Sequence, residues 1–561
     1  MKKKALIYLT IASSVALSSC GGSEKTKADD SKSDEPKEVV EAGGITEGDI
    51  HLTDAEWEQS QAIYFDRCAG CHGSSRKGAT GPHLLPEAPE GNAAPGTKLL
   101  GAAGLTAFIE NGTPAGMPEW KGIMTDQEIE LMSRFLQVTP PAIPAFGMAE
   151  MTETWNLIIP VAGRPTEPQH DRNIDNYFGV IMRDAGKVAV IDGDTKEELA
   201  VLKTGFAVHI LRTSASGRYI YSVGRDGRIT MIDTYFETPT IVAEVRGAYD
   251  ARSVEVSKFK GYEDKYLVFG GYSPAHIAIM DALTLEPISV TPTAGNACDG
   301  DKEYIEEARV ASIVASHTDP VWICNIKERG MVDIVDYTDP VNPQITEIPS
   351  ARFLHDGGWD ASGHYFLVAA NAANKIVVID VPNKKLVTII ETGIKPHPGR
   401  GTNIDFGGDK LWITSHLGEN KIVGIKTDAG EGQWTVVKEI ESPGAGGGAL
   451  FVKSHPKSKH LWVDRTLNPD KALHSVVDVF DTETLEHKKT ITMPEGASGR
   501  MVHMEYNKAG DEVWVSVFMG EASAILIYDD KTLELKEMLT GDWVQNPTGK
   551  FNIYNTTHDI Y

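Results

Sequence analysis

The sequence predicts an α+β multidomain chain: a small all-α domain over 50–140, then an all-β eight-bladed β-propeller over 150–561. Three observations carry this. A strand pattern ending in an acidic residue recurs eight times after residue 150, and two helix-start signatures precede it. The 561 residues also hold 54 Gly and 29 Pro, a supply of turn formers suited to many short strands.

Residues 1–19 run from lysines through a short apolar stretch to small residues, the order of a secretory signal too short to span a membrane. The junction Leu17-Ser18-Ser19-Cys20 reads as a lipoprotein signal, with Cys20 as the lipidated first residue of an extracytoplasmic, membrane-anchored protein. Residues 20–49 are rich in mixed charge and lack aromatics. Such a stretch buries too little apolar area to offset its ordering entropy, so it is expected to be a disordered tether.

The helical domain opens on the capping box Thr53-Asp54-Ala55-Glu56, whose helix carries Trp57, Ile63, Tyr64 and Phe65. That helix leads into Cys68-Ala69-Gly70-Cys71-His72. Two thiols at this spacing can add to the two vinyl groups of one haem while the adjacent imidazole meets the iron, so the motif is a c-type haem attachment site. A redox dithiol would sit in a βαβ context and a zinc site needs a second ligand pair; neither is present in the sequence. A second box, Thr125-Asp126-Gln127-Glu128, starts a helix with Ile129, Met132, Phe135 and Leu136 on one face. Between the two lies Asn111-Gly112-Thr113-Pro114-Ala115-Gly116-Met117-Pro118. Met117, off any periodic face, is the expected second axial ligand; Met124, Met132 and His83 are poorer candidates, and His51 is an alternative in one oxidation state. The Pro-rich stretch 139–144 ends this cytochrome c domain.

Beyond it the repeat reads KVAVID from Lys187, RITMID from Arg228, HIAIMD from His276, MVDIVD from Met331, KIVVID from Lys375, KIVGIK from Lys421, VVDVFD from Val476 and AILIYD from Ala524. Seven intervals separate Asp192 from Asp529, about 48 residues each, a period that marks propeller blades. Closure of the ring is expected to complete one blade with strands from both ends of the domain.

Three blades carry a histidine in matching phase. His209 lies 8 residues before Gly217 of SGRYIY, His355 lies 8 before Gly363 of SGHYFL, and His397 precedes the next aromatic strand by a longer stretch. They are expected to aim imidazoles at the axis from one layer. His276, His317, His364, His416, His455, His460 and His503 are read as packing or surface groups, with His503 nearly in phase with His209. Cys298 and Cys324 are expected to be free thiols.

The stretches CAGCH, GTPAGMP, RDAGKVAVIDG, AVHILRTSASGRYIYSVGRDG, ARFLHDGGWD, PHPGRG and PTGKFNIYNT closely resemble the cytochrome cd1 nitrite reductase family from about residue 54 to the C-terminus. The resemblance implies a second, non-covalent haem d1 on the axis, with His209 as its proximal iron ligand and His355 and His397 on the substrate side as proton donors. It places Arg183, Arg212, Arg400 and, more weakly, Arg225 near the d1 carboxylates, where guanidinium forks suit bidentate pairing. It implies one-electron reduction of nitrite to nitric oxide, electrons supplied by a small c-type cytochrome or cupredoxin, and a homodimer. The distal imidazoles are expected to form a cationic pair that attracts nitrite. Some family members place an N-terminal tyrosine over the d1 iron; no Tyr occurs here between Cys20 and Tyr64. The alternatives are a paralogue that dehydrogenates a d1 precursor and a non-catalytic electron-transfer module. A net charge of −25 argues against a nucleic-acid partner.

Overall fold

In a computed structural model the described residues are 44–561, apart from 91, 114–116, 141 and 300–302. The signal segment, Cys20 and the tether up to residue 43 lie outside them. None of the described helices is long and apolar enough to cross a membrane.

Eight antiparallel sheets close into a propeller. In seven of them four strands follow one another from the axis outward in chain order. The remaining blade joins the two ends of the domain: Pro547–Asn552 is innermost and pairs with Tyr177–Met182, followed by Lys187–Asp192 and Glu198–Lys203. This seam removes the exposed sheet edges that an open array would leave. All eight repeat segments occupy the third strand of their blades.

The terminal aspartate of that strand has a local task. Asp281 Oδ1 accepts the main-chain N–H groups of Leu283 and Thr284, both at 2.9 Å, and Asp481 Oδ1 accepts those of Glu483 and Thr484 at 2.8 and 3.1 Å. A carboxylate in this role closes the turn to the outer strand. Lys426 departs from the pattern, and its ammonium instead pairs with Asp409. The aromatic second strands supply the fully buried Trp322, Trp412, Trp462 and Trp514 that pack blade on blade. Trp514 stacks on Phe178 across the seam, with ring centroids 3.9 Å apart.

The helical domain follows both capping boxes. Thr53 caps Asp54–Ile63 and Thr125 caps Asp126–Phe135, each with the reciprocal Glu contact. Ile129, Met132, Phe135 and Leu136 are buried together, and Trp57 meets Phe135 edge-on. A third helix, Thr97–Asn111, carries no side-chain cap at Gly96 and kinks at Gly101, so neither start signal nor even periodicity announces it.

The expected tether boundary at 49 is corrected. Ile45–Glu47 pairs with Ile50–Leu52 as a hairpin, and Glu47 is tied to Lys98 (2.8 Å) and to the Thr139 amide (2.7 Å). Alternating apolar residues give this short stretch a face to bury, which the charged residues before it lack. Helix Met148–Thr154 and strand Asn156–Leu157 likewise belong to the propeller: Met151 is buried against the second blade, and the strand extends that blade's outer edge.

Candidate functional site

The haem-attachment motif sits on a wide turn, Tyr64–Cys68, followed by the short helix Ala69–His72. The His72 imidazole is buried, with Nδ1 2.7 Å from the Pro82 carbonyl oxygen. An Nδ1–H held this way leaves Nε2 as a free ligand and fixes the ring. Gly81 lies flat against that ring; a Cβ there would stand 2.9 Å from His72 Cε1. Cys68 and Cys71 are unpaired thiols, and burial pushes the Cys68 thiol up to about 12. The chemistry of this set fits a haem c.

Met117 lies among the apolar residues of the domain, its loop held by a Thr113 amide donated to the Met117 carbonyl at 2.9 Å. Gly112 makes that closure possible, since its φ is +64° and a Cβ would fall 2.3 Å from the Met117 oxygen. Residues 114–116 of the loop are outside the described ones. Met124 and Met132 are core residues, and both His83 ring nitrogens have main-chain partners. His51 is exposed in the hairpin, Nδ1 against Thr46 Oγ1 at 2.9 Å.

On the propeller, His209 immediately precedes the innermost strand Ile210–Thr213, His355 is second in the innermost strand Leu354–Trp359, and His397 precedes Thr402–Phe406. Equivalent starts of innermost strands share one face, so these side chains converge. Between them stands a residue the sequence analysis did not single out. Arg252 donates from Nε to His209 Nε2 at 2.7 Å, and its Nη1 lies 3.0 Å from His355 Nε2. His355 and His397 have ring centroids 4.9 Å apart. The wall continues through Phe451, His503 and Phe551, so His503, read as a packing residue, lines the same layer.

Asp356 is the second unforeseen group. Its Oδ2 lies 3.1 Å from His355 Nδ1, and its place directly after His355 was the available signal. Burial alone would raise this carboxyl; the adjacent His355, with Arg252 and His397, instead holds it well below the usual range. Burial drives His355 down to about 3 against the pull of Asp356, and Arg252 adds to the fall. Burial likewise lowers His209 well below the ordinary imidazole range, and lowers His397. Desolvation and a guanidinium 3.0 Å away both oppose protonation of His355, so the fixed positive charge between His209 and His355 is that of Arg252.

The four arginines divide. Arg400 Nη1 is buried with no partner among the described residues, and Nη2 is 3.5 Å from Glu255. Arg212 Nε is 3.0 Å from the same carboxylate, and burial with the nearby Arg400 pulls it down to about 10. A buried guanidinium nitrogen left without a partner, on the residue three after His397, fits a ligand bearing carboxylates. Arg183 and Arg225 are paired with carboxylates: Arg183 with Asp66, two residues before Cys68, and Arg225 in a bidentate pair with Asp250 at 2.7 and 2.8 Å.

Residues 172–556 match the family described as Cytochrome D1 heme domain. The chain belongs to that family. Residues 55–136 match the family described as Cytochrome C oxidase, cbb3-type, subunit III. Of known relatives, a nitrite reductase of Stutzerimonas stutzeri is 49% identical over 536 residues, 91% of this chain and 95% of that protein. A dihydro-heme d1 dehydrogenase of Pseudomonas aeruginosa is 26% identical over 90% of this chain and 95% of its own. A solved dihydro-heme d1 dehydrogenase in complex with DHE superposes with a TM-score of 0.67 at 26% identity, covering 89% of this chain and all of that one. With a cytochrome c domain ahead of a d1 heme domain, this chain carries haem c and haem d1.

Proposed function

We propose that this chain reduces nitrite to nitric oxide and water, NO2− + 2H+ + e− → NO + H2O, with haem c held by Cys68, Cys71, His72 and Met117 and haem d1 ligated by His209. The observation that carries the reading is the imidazole pair His355–His397, 4.9 Å apart, facing His209 across Arg252, in a chain so similar to a nitrite reductase. The d1 group, when bound, supplies an iron with a position open to substrate.

The protein's own residues supply the rest. His209 is kept neutral by desolvation and by Arg252, so its Nε2 lone pair is available once the guanidinium moves aside. The His355 Nδ1 side faces the Asp356 carboxylate at 3.1 Å and His397 gives its Nδ1–H to the Leu450 carbonyl at 2.8 Å, so both Nε2 atoms face the axis. Arg252 attracts the anionic substrate. Its departure from His355 Nε2 and the arrival of nitrite both raise the imidazole pKa, so the proton is taken up as substrate binds. Two loaded imidazoles can then protonate the oxygen that leaves as water.

Asp356 positions His355 and favours its protonated form. Asp356→Asn is expected to lower turnover ~10–100-fold, the range for loss of a partner that orients a functional histidine. Activity that needs protonated imidazole falls as pH rises through its pKa. Without the carboxylate that pKa drops, so the falling limb of the pH–rate profile moves to lower pH. An unmoved limb in the variant counts against this role.

The second reading, dehydrogenation of a d1 precursor, rests on a relative at 26% identity, and two proton donors on one side of the iron suit nitrite better. The signal sequence and the haem attachment favour a periplasmic protein tethered through Cys20; the family resemblance favours a homodimer with a small c-type cytochrome or cupredoxin as donor. Partition of the mature protein into detergent, lost in Cys20→Ala, tests the tether. The deciding experiment is anaerobic turnover with a reduced carrier, following nitric oxide at an electrode and d1 by its red absorption band. Full d1 loading without nitric oxide refutes the reading.

A further inference from the structure

We propose that Arg309, Lys327 and Glu307 form a latch that fixes the haem-attachment segment on the propeller face and so sets the separation between the two cofactor sites. The proposal rests on haem c being attached at Cys68 and Cys71, which a haem stain of the denatured parent tests separately.

The contacts are to main chain. Arg309 donates from Nη1 to the Ala69 carbonyl at 2.6 Å, and Lys327 donates from Nζ to the Gly70 carbonyl at 3.1 Å. Ala69 and Gly70 are the two residues between the attachment cysteines. On the other side of His72, the Glu307 carboxylate accepts the amides of Ser74 and Ser75, each at 3.1 Å. Four backbone groups flanking the haem ligand are thus taken by three propeller side chains. Such bonds hold the segment in register whatever side chains it carries.

The latch is built rather than incidental. Arg309 and Lys327 are 1% and 2% exposed, and burying a cation is costly unless it is hydrogen-bonded. Arg309 is itself braced by Glu328 at 2.8 Å and lies over the Tyr272 ring. Arg225 lies over that ring too and clasps Asp250, whose Oδ2 accepts from Ser74 Oγ at 3.3 Å. Asp250 begins the strand that presents Arg252 to His209 and His355. A continuous set of bonds therefore joins the residues around His72 to those around His209.

The test is the rate at which an electron, delivered rapidly to haem c, passes on to d1, measured in the parent, Lys327→Met, Lys327→Arg and Glu307→Gln, with haem c midpoint potentials recorded alongside. Release of the latch is expected to let the segment shift by about 2 Å and so slow transfer ~10-fold in Lys327→Met and Glu307→Gln with both cofactors fully loaded. Lys327→Arg should recover most of the rate. Burial and the neighbouring Arg309 bring Lys327 down to about 7, so its charge is partial near neutral pH; losing it lowers the haem c potential, which by itself would speed transfer, and slowing in Lys327→Met therefore reports geometry. In the parent, the Ser74 and Ser75 amides should exchange slowly with deuterium. Transfer within about twofold of the parent in both variants, or exchange of those amides at solvent rate, overturns the latch.

Discussion

Alanine at His355, or at His397, is expected to lower nitric oxide formation by at least ~10²-fold while the spectra of both haems are kept. Each imidazole is set by one contact at Nδ1, to Asp356 for His355 and to the Leu450 carbonyl for His397, so Nε2 is presented to the axis. Neither of these Nδ1 contacts ties the ring to His209; the link between the two sides is Arg252, which meets both His209 and His355, and the retained d1 spectrum reports that His209 still holds its place. What is lost is a proton delivered at the moment the N–O bond breaks, a contribution of this size for a positioned acid. The spectra separate this from loss of cofactor. Because both rings protonate the same departing oxygen, the double variant should cost less than the product of the two single losses. Near-normal turnover in both single variants removes the proton-donor assignment.

His209→Gly acts on the other side and through another link. Haem c should remain fully attached, since His209 has no contact with the 68–72 segment among the described residues, whereas the red d1 band should shift or vanish and turnover should fall to background. His209 precedes its strand with its ring desolvated and neutral, the state a metal ligand needs. Free imidazole added to His209→Gly fits the space vacated and should restore part of the band and part of the turnover. An unchanged d1 spectrum in the variant would move the ligand role elsewhere, and His503 on the same wall is the residue to examine next.

Much of this was legible in the sequence because it is local. The Asp-terminated strands announce themselves through turn chemistry spanning three or four residues, as at Asp281 and Asp481. CAGCH is a five-residue device, and both capping boxes are complete within four residues. The histidine trio could be found because Gly217 and Gly363 mark a common phase. The hairpin Ile45–Leu52 escaped because its stabilising partners, Lys98 and Thr139, are far along the chain. Arg252 escaped because the partner that reveals it, His355, is 103 residues away.

The sequence by itself determined the eight repeated strands, the two capped helices, their order and the haem-bearing motif, since short-range hydrogen bonding and periodicity decide each of these. Only the tertiary structure decided which charges are spent and which remain free. Arg183 and Arg225 carry the same guanidinium as Arg400, yet the first two are neutralised by Asp66 and Asp250 while Arg400 keeps a buried nitrogen unpaired. The protonation of His355 is likewise decided by the closed ring, because the energy of a charge depends on how far water is excluded and on which neighbours other blades bring within a few ångströms.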